Sequence, residues 1–212
     1  MELLKYKSEQ RGYLKLILGP MFSGKTSELV RIYHRYTGPN IKKCCVINYE
    51  KDKRYDKEKM STHNKVMIKS YNYEKLKGCM EHIKNYDVFL INEGQFFEDL
   101  VEIVNVLVNM HKKIVYVCGL DGDFKRRRFG TILDLIPNCD DVVKLKAICK
   151  KCKKNDAIFT HRLTHESEQT LIGVDNYTSY CRHCYNLVNA FSPPSKPNLK
   201  MRHTSSMHIT DI

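Results

Sequence analysis

The chain has 212 residues, 42% of them hydrophobic, and carries 36 Lys and Arg against 24 Asp and Glu, a net charge of +12. That length holds one α/β domain with a small appendage. No apolar run approaches the roughly 18 residues of a membrane span and no apolar signal core opens the chain, so a soluble, cytoplasmic protein with no membrane partner is expected. The positive surplus suits polyanions, nucleotides or nucleic acid alike, but lysines run from Lys5 to Lys200 without gathering on one stretch, and charge alone does not choose between them.

Residues 1–12 read as a polar leader. Tyr13-Leu14-Lys15-Leu16-Ile17-Leu18 is an apolar, β-prone run, and from Thr26 to Tyr36 the residues Leu29, Val30, Ile32 and Tyr33 recur at helical spacing. Between strand and helix lie Gly19, Pro20, Met21, Phe22, Ser23, Gly24, Lys25 and Thr26, a full match to G-x-x-x-x-G-K-S/T in the context that makes it a phosphate cradle. The glycines let successive N–H groups turn inward, and the helix N-terminus adds partial positive charge. In this motif the lysine, here Lys25, reaches the β- and γ-phosphates, and the hydroxyl, here of Thr26, ligates Mg²⁺. The chain is expected to handle a nucleoside triphosphate.

Gly38-Pro39-Asn40 marks a turn, and Lys43–Asn48 reads as a second strand. Asp52–Ser70, dense in charge, reads as an exposed flap or hairpin, and Tyr73–Asn85 as a modest helix. Val88-Phe89-Leu90-Ile91 has the continuous apolar character of a buried parallel strand. Leu100, Ile103, Val104, Leu107, Val108 and His111 form a helical stripe, Ile114–Cys118 another buried strand, and Asp121–Gly130 a basic loop. Asp141–Leu145 is the last strand. The alternation predicts a parallel sheet with helices on both faces, in a domain spanning 13–146. Asn92 and Glu93 follow the third strand, where a P-loop protein keeps an acidic residue near its metal. Leu120 and Phe124 follow the next strand at the same sheet edge.

After Ala147 the composition changes. Cys149-x-x-Cys152 and Cys181-x-x-Cys184 are two knuckles separated by 28 residues, together a tetrahedral Cys₄ set for a structural zinc. They define a zinc-binding domain over 147–191. Cys44, Cys45, Cys79, Cys118 and Cys139 fall in core or strand segments and read as small buried hydrophobes. A Pro- and Ser-rich run opens a tail over 192–212 that is expected to be disordered.

Taken together, the P-loop octapeptide, Asp52-Lys53-Arg54-Tyr55, Glu93-Gly94-Gln95-Phe96-Phe97, Leu120–Phe124 followed by Phe129-Gly130, Thr160-His161-Arg162-Leu163, Leu171-Ile172-Gly173, Tyr177 and Cys181–Tyr185 resemble the type II thymidine kinases, the cellular and poxvirus-like family. The likeness runs from about Tyr13 to Phe191. It implies an α/β fold, a P-loop NTPase-type parallel sheet flanked by helices, with a small C-terminal zinc-ribbon-like domain carrying a lasso loop. It implies transfer of the γ-phosphoryl group of ATP, with Mg²⁺, to the 5′-hydroxyl of thymidine, and by extension deoxyuridine. Glu93 corresponds to the general base. The P-loop residues, Asp52, Lys53, Arg54, Asn92 and Gln95 fall on the ATP side. Met21, Phe96, Leu120, Phe124, Thr160 and Tyr177 fall around the nucleoside, with the lasso residues Glu168, Gln169, Thr170, Leu171 and Ile172 gripping the base through their backbone. The resemblance also implies a homotetramer, inhibition by thymidine triphosphate, and no nucleic-acid partner.

Two positions depart from the family pattern. Asn92 stands where the pattern has Asp, which removes a negative charge beside the metal, and Ile172-Gly173 stands where many relatives have two glycines. Two other readings of the chain are a nucleic-acid-dependent ATPase with a zinc ribbon and a non-catalytic nucleotide-binding regulator. The first lacks a second ATPase module or arginine-finger signature, and the second sits poorly with intact Lys25, Thr26 and Glu93.

Overall fold

The structure is a computed structural model and describes residues 11–38, 41–51, 59–61, 67–164, 169 and 176–190. Asp52, Lys53, Arg54, Glu168, Thr170, Leu171 and Ile172, most of the leader and the whole 192–212 tail lie outside the described residues.

A six-stranded sheet organises the larger part of the chain. Its strands are β1 (Tyr13–Leu18), β2 (Cys44–Tyr49), β5 (Tyr71–Tyr73), β6 (Val88–Ile91), β7 (Ile114–Gly119) and β8 (Asp141–Lys144), in the spatial order β5-β2-β6-β7-β1-β8. Every neighbouring pair is parallel. Beside it β3 (Lys59–Ser61) and β4 (Met67–Lys69) pair antiparallel, Lys59 opposite Lys69, in keeping with the expected hairpin.

Alternation along each strand sorts the core into two layers. On one face Ile17, Val46, Leu90 and Cys118 meet Leu29, Val30 and Ile32 of helix α1 (Lys25–Thr37). On the other, Leu16, Ile47, Phe89, Ile91 and Val117 meet Leu100, Ile103, Val104 and Leu107. Those four come from helix α2 (Leu100–Asn105) and the π-helical turn Val106–Met110 that continues it. Helices thus cover both faces of a parallel sheet, as the strand–helix alternation predicts.

A local expectation changes. Tyr73–Asn85 is not an α-helix: Tyr73 ends strand β5, and a 3₁₀ segment follows over Leu76–His82. A Cβ at Gly78 would lie 2.3 Å from the Tyr73 ring, so the chain turns tightly against that tyrosine. A second 3₁₀ segment, Ile132–Asn138, buries Ile132 and Leu135 where the sequence offers only a short apolar pattern before Pro137.

The C-terminal part is built from two small antiparallel ladders and a helix. β9 (Ala147–Ile148) pairs with β10 (Asp156–Ala157), and β11 (Phe159–Arg162) with β12 (Tyr177–Tyr180). Helix α3 (Arg182–Asn189) follows, with the Cys181 sulfur accepting from the Cys184 N–H at its start. Ala147, Cys149, Ala157, Cys181 and Cys184 form a separate core. Among the described residues no helix is long and apolar enough to cross a membrane.

Candidate active site

The strand order brings the C-terminal ends of β1, β7 and β6 side by side, the edge at which open α/β sheets hold ligands. From β1 the chain enters the P-loop. Gly19, Phe22 and Gly24 all have positive φ, at 147°, 64° and 83°, a backbone that curls its N–H groups toward one centre. A Cβ at Gly19 would lie 2.5 Å from the Leu145 carbonyl oxygen, so this turn requires glycine. No side chain caps the start of α1, and a helix N-terminus is a place suited to an anion. Lys25 Nζ donates to the Pro20 carbonyl at 2.7 Å, and Ser23 Oγ donates to the same oxygen at 2.8 Å.

From β6 the chain delivers Asn92 and Glu93, both buried. Asn92 sits in a neutral network. Its Oδ1 faces the Thr26 hydroxyl at 3.5 Å and accepts from Cys118 Sγ at 3.0 Å, while its Nδ2 donates to Asn48 Oδ1 at 3.0 Å. Asn48 in turn donates to Ser70 Oγ at 3.0 Å. Burial and the neighbouring Glu93 carboxylate push the Cys118 thiol up to about 12, so it stays protonated and donates. Thr26 and Asn92, separated along the chain by 66 positions, thus present adjacent neutral oxygens, a donor set suited to Mg²⁺ accompanied by phosphate oxygens and water.

Glu93 has left-handed backbone angles, φ 53° and ψ 44°. That conformation is uncommon for a side-chain-bearing residue and concentrates at functional sites. Its Oε2 accepts from Gln95 Nε2 at 2.7 Å, and Gln95 Oε1 accepts from the Leu120 N–H at 3.0 Å.

Met21 and Leu120 form an apolar cluster with Phe129, and Phe22, Phe96 and Tyr177 pack against it. Phe96 stacks on Tyr49 with ring centroids 5.2 Å apart and meets Phe129 edge-on at 5.5 Å. Four of the expected nucleoside-side residues, Met21, Phe96, Leu120 and Tyr177, therefore belong to one apolar cluster. Phe124 is placed beside Tyr177 by the Arg162 guanidinium, whose carbon lies 3.9 Å from the Phe124 ring centroid and 5.1 Å from that of Tyr177. Thr160 Oγ1 accepts from the Met21 N–H at 3.0 Å, and Ser179 Oγ donates to the Met21 carbonyl.

Gln169 is the one expected lasso residue among those described. Its Nε2 donates to Asp123 Oδ2 at 3.0 Å and to the Arg128 carbonyl at 3.2 Å, and its own carbonyl accepts from Arg162 at 3.1 Å. Sequence reasoning assigned no role to Asn48, Asp123, Phe129 or Arg162. The last three stand inside the motifs used above, whereas nothing in the sequence singles out Asn48. The basic loop is largely engaged internally: Arg126 packs over Tyr185, Arg127 pairs with Asp123, and Arg128 pairs with Asp134.

The four knuckle sulfurs all lie within 4.8 Å of one another, the spacing at which one tetrahedral ion can take four thiolates. Burial pushes the Cys149 thiol up, but the backbone at Cys152, Cys181 and Lys151 outweighs it and brings the group down to about 6. Burial and the neighbouring cysteines push Cys184 up to about 12. Without a cation, four crowded thiols cannot all ionise; a zinc ion removes that conflict.

The thymidine kinase family model matches residues 12–185, spanning the sheet, the P-loop and both cysteine knuckles. The chain belongs to the thymidine kinase family. Among its relatives, Thymidine kinase 1 of Dictyostelium discoideum is 40% identical over 206 residues, which is 95% of this chain and 89% of the relative. The thymidine kinase of Sheeppox virus is 44% identical over 175 residues, and that of Variola virus 45%; each alignment spans 82% of this chain and 97% of the relative. The family match thus takes in the sheet edge, the aromatic cluster and the cysteine cluster within one span, rather than the P-loop alone.

Proposed function

We propose that this thymidine kinase family enzyme transfers the γ-phosphoryl group of ATP to the 5′-hydroxyl of thymidine, with deoxyuridine as a second acceptor. The observation that carries the reading is the convergence of a P-loop, a buried carboxylate and an aromatic cluster at one sheet edge, in a chain of this family. The P-loop N–H groups and Lys25 hold the phosphates, joined by Asp52, Lys53 and Arg54, while Thr26 and Asn92 flank the Mg²⁺ that accompanies ATP. The metal spreads the charge that develops on the transferred group. Met21, Phe96, Leu120, Phe124 and Tyr177 enclose the base, and the lasso from Glu168 to Ile172 reads its edge through the backbone. Glu93 accepts the 5′-hydroxyl proton. A carboxylate is a weak base, but in a loose transition state proton transfer is late and modest basicity suffices.

Zinc at Cys149, Cys152, Cys181 and Cys184 fixes both ends of the lasso. The division into a nucleotide-binding domain over 13–146 and a zinc-binding domain over 147–191 belongs to the same reading, as do a cytoplasmic homotetramer and feedback by thymidine triphosphate. The internal engagement of Arg126, Arg127 and Arg128 disfavours a nucleic-acid-dependent ATPase. The test is phosphoryl transfer from ATP and Mg²⁺ to a panel of nucleosides. Labelled monophosphate from thymidine and deoxyuridine, and none from cytidine, is expected. ATP hydrolysis stimulated by DNA or RNA, with no nucleoside phosphorylated, overturns the reading.

A further inference from the structure

The family resemblance sets Gln95 on the ATP side, but its side chain lies between Glu93 and the Leu120 N–H. It is 3% exposed, and burying an amide is costly unless both of its ends find partners. Both do, and the chemistry fixes which end faces which. The Leu120 N–H can only donate, so the atom 3.0 Å from it must be Oε1. That leaves Nε2 to donate to Glu93 Oε2 at 2.7 Å. The amide orientation is therefore dictated by the backbone just after β7.

Space for this arrangement is made by two glycines. A Cβ at Gly119 would lie 2.3 Å from Gln95 Oε1, and one at Gly130, where φ is +60°, would lie 2.1 Å from the Gln95 carbonyl oxygen. The slot comes from two segments, the end of β7 and the turn after the basic loop, and it fits an amide between a carboxylate and an N–H.

From this geometry we infer that Gln95 is a positioning residue that aims the Glu93 carboxylate and ties it to the wall of the base slot; the inference rests on the reading of Glu93 as the proton acceptor. Glu93 lies beyond the regular strand, in left-handed backbone, so strand geometry does not set its direction. The Nε2 hydrogen bond resists rotation of the carboxylate about its last bond. Leu120 belongs to the apolar cluster with Met21 and Phe129. One planar amide therefore spans the distance between proton acceptor and slot wall. A nucleobase that displaces the wall also displaces the carboxylate, which makes base identity felt in kcat as well as in KM.

The experiment uses the full chain with zinc bound and measures thymidine phosphorylation by ATP in Gln95→Met, Gln95→Glu and Glu93→Gln, and in each Gln95 change combined with Glu93→Gln. Gln95→Met keeps the volume and removes the donor. It is expected to lower kcat roughly tenfold, a fraction of what a general base supplies, with KM for ATP unchanged, and to cost little more once Glu93→Gln is present. Gln95→Glu replaces the donor with a second carboxylate that repels the first, and lowers kcat further. It is nearly isosteric with the parent, so it carries the test if Gln95→Met does not fold. A merely structural role would lower the thermal midpoint and reduce kcat by the same factor with and without Glu93→Gln. Equal losses in the two backgrounds, or a raised KM for ATP at parental kcat, overturn the inference. If Glu93→Gln alone has lost about 10²-fold or more in that case, the functional reading survives it; if Glu93→Gln keeps more than half of the parental kcat, the functional reading itself falls.

Discussion

Glu93 is buried beside Cys118, with Lys25 close enough to that thiol to influence it. Glu93→Gln preserves size and hydrogen bonding while removing the proton acceptor, so kcat should fall about 10²–10⁴-fold with thymidine and ATP affinities nearly unchanged. Retention of more than half the parental kcat excludes the role. Its neighbour Asn92 is tested in the opposite direction. Asn92→Asp restores a formal charge beside Thr26 and should lower the Mg²⁺ concentration needed for half-maximal activity. The network can absorb the change: Asn48 turns its amide to donate to the new carboxylate, and the Ser70 hydroxyl donates to Asn48 in place of accepting. An unchanged Mg²⁺ dependence removes Asn92 from the metal's surroundings. Phe124 carries the Arg162 guanidinium on its ring, an arrangement worth about 0.5–2 kcal/mol. Phe124→Ala should weaken thymidine binding and spare ATP, as calorimetric titration will show; equal thymidine affinity would make Phe124 ordinary packing.

Individual elements were legible in proportion to how much of their pattern is local. β1, β2, β6 and β7 announce themselves as apolar runs because both faces of the sheet are covered, and α1 is marked by the glycine that precedes it and the lysine that opens it. β5 was hidden because Tyr71-Asn72-Tyr73 has neither length nor an apolar run, and it becomes a strand only through pairing with β2. The helical stripe from Leu100 to His111 was read correctly as helical, but its second half is a π-turn, a change of hydrogen-bond register that side-chain spacing does not signal. At the site, the P-loop residues and Glu93 could be named because their chemistry is bound to a fixed motif. Asn48 could not, because its part in the Asn92 network depends on β2 lying beside β6. The turn at Gly130 offers a test at this scale. Gly130→Ala forces a Cβ against the Gln95 carbonyl at a left-handed φ, and a loss of at least about 1–3 kcal/mol is expected. A thermal midpoint equal to that of the parent would show that the turn relaxes freely.

Across the whole molecule, the P-loop meets the C-terminal part at two adjacent residues, Met21 and Phe22. The Met21 N–H is held by Thr160 of β11, and its carbonyl by Ser179 of β12, while Phe22 packs against both the cysteine core and the aromatic cluster. About one zinc per chain is expected by elemental analysis, and Cys149→Ser should raise KM for thymidine more than KM for ATP. Protein that is fully active and contains no metal would count against the zinc reading.

The clasp on Met21 also has a thermodynamic corollary. If a nucleotide in the P-loop holds residue 21 in the arrangement that β11 and β12 grip, then ligand and ion stabilise the same state of the chain, and linkage requires each to favour the other equally. In competition with a chelator at equilibrium, protein saturated with nucleotide should hold zinc more tightly than protein without it. Conversely, zinc-depleted protein should bind nucleotide more weakly by the same factor, although more than a hundred positions separate Met21 in sequence from its partners Thr160 and Ser179.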